Sequence, residues 1–148
     1  MAAVLVISIL LTACSSSAPN NITVRTNSEN SDFAVYFMIL NKNNEAIKVS
    51  GTAKLIIYGD KFKSKSEDTV IFSKELSLSE TDFVRISIPG YKYVTKRELE
   101  SGKLDPNPWG YKWSIPFDEI QHSRPQDWWV EMEYKTTAGK VIMGSYKY

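Results

Sequence analysis

Residues 128–135 read WWVEMEYK, and an extended backbone puts Trp128, Val130, Met132 and Tyr134 on one face, with Trp129, Glu131, Glu133 and Lys135 on the other. A repeat of two is the signature of a half-buried strand, whereas a helix needs apolar residues three and four apart. The same period recurs along most of the chain. ITVRT at 22–26 reads as a short first strand, and FAVYFMIL at 33–40 is apolar on both faces, which predicts a central strand covered on both sides. NKNNE at 41–45 has the composition of a turn. Beyond it Ala53, Leu55 and Ile57 alternate with Lys54, Ile56 and Tyr58, and Gly51 is expected to mark a bulge or bend.

Two further strands are predicted at 69–78 and 83–89, the second with Val84, Ile86 and Ile88 opposed to Arg85 and Ser87. A capping pattern, Thr95 with Glu98 and Gly102 as a stop, predicts one or two helical turns inside a long excursion over 91–110. In WGYKWSIPF, Trp109, Tyr111, Trp113, Ile115 and Phe117 share a face, and the last two strands flank TTAGK as a hairpin. Seven to eight strands with one short helix in a long loop describe an all-β fold, an antiparallel β-sandwich. The order resembles immunoglobulin-like and fibronectin type III-like domains over 22–148; a small β-barrel is the alternative.

The first thirteen residues, MAAVLVISILLTA, carry no charge. That run is too short to span about 30 Å of hydrocarbon and has the length of a secretory leader's apolar core. It ends in Leu11-Thr12-Ala13-Cys14, which resembles the lipobox of bacterial lipoproteins. The resemblance implies a signal peptide at 1–13, a diacylglyceryl group on the Cys14 sulfur, and often acylation of the new amino terminus. It implies an extracytoplasmic protein held to the cell membrane or outer membrane by acyl chains. Cys14 is the single cysteine, so no disulfide can form within the chain, and lipidation would consume its thiol. Two or more acyl chains anchor stably where one is marginal. SSSAPNN then reads as a polar, proline-interrupted tether, giving 14–21 as lipidated cysteine and linker and 22–148 as the sandwich.

Net charge is +1, so nothing global steers the chain to nucleic acid. Lys42, Lys48, Lys54, Lys61, Lys63 and Lys65 crowd one segment, and Asp118, Glu119, Asp127, Glu131 and Glu133 another. Two solvated regions leaning opposite ways explain this, as would a basic surface facing an anionic membrane or cell-wall polymer. His122 is the only histidine, and neither HExxH nor CxxC occurs, so no metal or other cofactor is expected. A hydrolase would need His122 as base beside Ser123; without a G-x-S-x-G elbow the pair is only local crowding.

The aromatic residues are the better lead. The Trp109, Tyr111 and Trp113 stripe reads first as core, with a ligand platform as the alternative. Trp129 shares its face with Glu131 and Glu133, and so belongs to a wet surface. The expectation is a non-catalytic binding or scaffold role toward an envelope protein or polysaccharide. A carbohydrate-binding module and a hydrolase at His122 and Ser123 are its rivals.

Overall fold

The computed structural model describes residues 18–59, 69–87, 105, 107–120 and 128–148. Cys14, His122, Ser123 and the helical turns expected at 95–102 lie outside the described residues.

Among the described residues the alternating segments form nine strands in two antiparallel sheets. They are β1 (Pro19–Glu29), β2 (Asp32–Asn41), β3 (Ala46–Ile47), β4 (Gly51–Gly59), β5 (Thr69–Leu78), β6 (Val84–Arg85), β7 (Trp109–Pro116), β8 (Trp129–Thr136) and β9 (Val141–Lys147). Seven are long, and β3 and β6 are two-residue pairings. Sheet one runs β1-β2-β7-β6, with β3 extending the β7 side of β2; sheet two runs β5-β4-β8-β9. Together the two sheets make an all-β antiparallel sandwich.

The barrel alternative is set aside, because no backbone ladder joins the sheets among the described residues. β1 and β9 instead meet side by side along one seam. Gly144 lies so near Ile22 that an added Cβ would stand 2.8 Å from the Ile22 carbonyl oxygen. The Tyr148 and Ser28 hydroxyls bond at 2.6 Å, and the Lys140 ammonium donates to the Pro19 carbonyl. Side chains and one glycine therefore close an edge that hydrogen-bonded strands would close in a barrel.

β2 is covered on both faces, as its unbroken apolar run predicts. Phe33, Val35, Phe37 and Ile39 enter the core between the sheets; Ala34, Tyr36 and Met38 lie on the other side under Ile86. Ile86 arrives there by crossing β7 at Gly110, where an added Cβ would meet its Cδ1 at 2.2 Å. Val84 pairs with Gly110 and so lies on that same outer side, opposite Arg85, but the strand expected over 83–89 is shorter among the described residues. β6 lasts only two residues, Phe83 takes the core position, and Val84 is 53% exposed. The first strand also begins at Pro19 instead of Ile22.

Gly51 opens β4 without a bulge and is pressed against the Lys135 carbonyl and the Tyr134 ring. The bulge lies at the other end of β4, where Ile57 pairs Phe72 while Tyr58 pairs Val70. Ile71 is the extra residue, which is why two consecutive side chains, Ile71 and Phe72, are both buried.

Among the described residues β5 is an edge of sheet two, and its core-facing row is interrupted by Lys74, which pairs with the fully buried Leu55 yet is itself exposed. An inward-facing lysine and a bulge are both devices that stop a long edge from recruiting another chain. Lys74→Val is therefore expected to leave the monomer folded but cause concentration-dependent association, read by light scattering. A variant that stays monomeric at about 1 mM would assign the guarding role to the bulge alone.

The turn after β2 depends on Asn41, a polar residue 2% exposed. Its amide nitrogen donates to Glu45 at 2.8 Å, and its amide oxygen accepts from the Asn43 and Glu45 backbones at 2.9 Å each. Asn44, at φ 61°, takes the left-handed step. Asn41→Ala would leave those backbone donors unpaired; a loss of about 2–3 kcal/mol in urea unfolding is expected.

Candidate functional site

Sheet two turns one face outward, and its register fixes which side chains meet there. Val70, Tyr58, Trp129 and Lys147 lie in one row across β5, β4, β8 and β9. The adjoining row is Ser73, Ile56, Glu131 and Ser145, and beyond it Lys54 stands between Glu75 and Glu133. Directly opposite residues in an antiparallel pair have Cβ atoms about 4.5–5.5 Å apart, so Tyr58 and Trp129 adjoin on the two central strands. Both are partly exposed. The Trp129 indole N–H donates to Glu131 at 3.0 Å, which fixes the plane of the ring along the strand. Chemically this is a pair of partly exposed aromatic residues with a carboxylate, an ammonium and hydroxyls in the same and adjoining rows, suited to a ligand with an apolar face and a polar edge.

The other aromatic candidates lie elsewhere. Trp113, 7% exposed, is core, and Tyr111 packs against Phe37 at 5.6 Å between ring centroids. Burial pushes the Tyr111 hydroxyl pKa upward, with the Asp82 charge adding to it. Trp109 ends the stripe and is covered by cations, with the Arg85 guanidinium 4.1 Å and the Lys48 ammonium 4.5 Å from the ring centroid. Arg85 is in turn held by Asp105 at 2.7 Å and by the Asn107 carbonyl at 3.0 Å. The stripe thus divides into core and a braced end, and neither part joins Trp129.

Trp109 and Trp129 are at opposite ends of the sandwich. Trp128, beside Trp129, stacks on Phe33 and Phe117, whereas Tyr134 packs with Phe37 and Phe83 toward Tyr111 and Trp109. A third polar cluster crosses the outer face of sheet one. Glu29 of β1 accepts from Lys112 of β7 at 2.5 Å and from the Tyr36 hydroxyl of β2 between them. The Lys112 hydrogen bond, then that of Tyr36, lowers the Glu29 pKa, and all three groups are thereby engaged with one another. This cluster braces the sheet.

Tyr58 was not singled out by the sequence. Its only signal there was its place on the polar side of an alternating strand; its neighbour depends on β4–β8 register. Among the described residues no three His, Cys, Asp or Glu side chains gather as a metal site would require, and no helix is long and apolar enough to cross a membrane. The chain matches no family model, no curated protein and no solved structure.

Proposed function

We propose that this chain is a membrane-anchored, extracytoplasmic lipoprotein whose sandwich has a non-catalytic binding role in the cell envelope, through the face carrying Tyr58 and Trp129. The observation that carries the reading is the relation between that face and the N-terminus. β1 starts at Pro19, opposite Asn41 and beside Lys140, and ends at Glu29 near Phe33. Its eleven residues cover about 35 Å. Tyr58 and Trp129 belong to the far end, so an anchor at Cys14 would leave them directed away from the bilayer.

The test is recovery of partners from envelope extracts by wild type and by Trp129→Ala. A central tryptophan in an interface contributes 2 kcal/mol or more, so about a thirtyfold loss of retention is expected. Trp109→Ala, changed at the other end, should retain them. Equal recovery by all three proteins would remove Trp129 from the binding face; no partner for any of them would count against binding itself.

A carbohydrate ligand is the second reading, favoured by two adjoining rings with a carboxylate at their rim. Polysaccharide that quenches tryptophan fluorescence of wild type, and does so less in Tyr58→Ala, would support it; no quenching would dispose of it.

A further inference from the structure

We infer that two copies of this chain, anchored side by side in one bilayer, pack the outer faces of their second sheets together about a twofold axis that runs along the strands. The inference rests on the anchored reading above and names a second copy as the partner of the Tyr58 and Trp129 face.

Of the four large apolar side chains most exposed among the described residues, three lie on that face: Val70, Val141 and Met143, at 49%, 50% and 61%. Register sets them at opposite corners. Val70 stands on β5 beside Tyr58, whereas on β9 Met143 faces Glu133 and Val141 faces Lys135. A fourth row of Ser77, Thr52, Lys135 and Val141 completes the face. A small ligand seated on Trp129 would leave the β9 corner open, but a second sheet of equal size covers both corners. Four strands about 4.8 Å apart and rows about 7 Å apart give about 500 Å² on each copy, or about 1,000 Å² in all. That is the size of a transient contact, too small to hold a pair together in dilute solution. Two anchors in one membrane raise the local concentration as a tether does.

Charge decides how a second copy fits. The rows carry Glu75, Glu131 and Glu133 against Lys54, Lys135 and Lys147, so two such faces have no net charge to repel. An axis along the strands lays β4 of one copy over β8 of the other and keeps every row level. Tyr58 then meets Trp129, Lys54 meets Glu133 and Val70 meets Lys147, each twice, while Met143 covers Glu75 and Val141 covers Ser77. Ile56 meets Glu131, whose carboxylate accepts the Trp129 indole N–H of its own copy. Lys54 is in an ion pair with neither Glu75 nor Glu133 of its own copy, which leaves its ammonium for the other. An axis along the rows would instead set Glu131 over Glu133 twice, and like charges so placed repel. The anchors make the same choice. Lys140, next to Val141 of the fourth row, holds the Pro19 carbonyl, so the strand-wise axis brings both N-termini out at one end. The row-wise axis would send them to opposite ends, where one bilayer cannot hold both.

The test uses full-length, natively acylated protein in vesicles of phosphatidylcholine. With the Cys14 sulfur alkylated, Ala138→Cys in the exposed β8–β9 turn supplies one thiol for a donor or an acceptor dye. Energy transfer between copies is expected at a surface density where lipid-linked dyes alone give none. Lys54→Glu and Glu133→Lys should each raise the density needed for half-maximal transfer about tenfold, and an equal mixture of the two should restore the wild-type value. Val70→Lys, changed where the side chain is exposed and folding is indifferent, should weaken transfer as well by facing Lys147 of the second copy. No transfer in wild type, transfer untouched by the variants, or a mixture that does not recover overturns the pairing. The intact mass of the same sample separates the two ideas. Cys14 without acyl chains overturns the anchored reading and the pairing together; acylated protein that stays single, yet retains an envelope partner through Trp129, overturns the pairing alone.

Discussion

Trp128→Ala is expected to lower the free energy of unfolding by about 4 kcal/mol, and the midpoint of thermal unfolding by about 12 °C for a domain of this size. Trp128 is 1% exposed and among the largest side chains in the core. Its ring meets Phe33 edge-on at 5.1 Å and Phe117 at 6.3 Å, and Phe33 in turn meets Tyr148 at 5.5 Å. Removing the indole empties the centre of an aromatic group that joins both sheets at the far end, and close-packed neighbours relax only partly into such a space. Trp128→Phe makes a sharper comparison. The indole N–H finds no acceptor among the described residues, so phenylalanine removes an unpaired donor along with the lost carbon contacts. A cost of about 1–2 kcal/mol is expected for it. Urea unfolding measures both, and similar losses for the two variants would show that the N–H is satisfied in solution.

The second large effect lies at alkaline pH. Tyr134 is fully buried and donates its hydroxyl to the Val49 carbonyl. Burial first, and then the Asp82 charge, raise its pKa from the ordinary tyrosine value of 10.0 to about 12. The neutral phenol is thus the form the fold prefers, and its contribution is complete below pH 10, the unfolded value. Above that the unfolded chain ionises first, and stability falls until the folded group also titrates near 12. The whole window is worth about 3 kcal/mol. Burial raises Tyr36 and Tyr111 as well, so their loss adds to the same limb. Tyr134→Phe should lose about 1–2 kcal/mol at neutral pH, because the Val49 carbonyl is left without its donor. Its stability should also decline less between pH 10 and 12. Unfolding curves for the two proteins at pH 7, 10 and 11.5 give the difference; parallel decline would place the alkaline sensitivity elsewhere.

The elements most legible in the sequence were those whose two faces differ in chemistry. Along 128–134, Trp128, Val130, Met132 and Tyr134 are all within 1% of full burial, and the intervening residues are partly exposed. β2 was legible for the opposite reason, since a run apolar on both faces must be covered on both. The Trp109 stripe was legible only in part. Alternation placed Trp113 and Ile115 inside, but could not show that the sheet ends near Trp109 and that Lys48 and Arg85 cover the ring.

Alternation fixes which way a side chain points because successive Cβ atoms of any strand leave opposite sides of the backbone, so strands and inner faces were determined by the sequence alone. Register, edges and ends belong to pairs of strands far apart in the chain. Tertiary structure alone therefore set Tyr58 beside Trp129, carried Ile86 over Gly110 to the outer face and made β5 an edge guarded by Lys74. It also put Pro19 and Trp129 at opposite ends. A backbone's period is local, whereas the choice of partner is settled only when distant strands bury their apolar faces together.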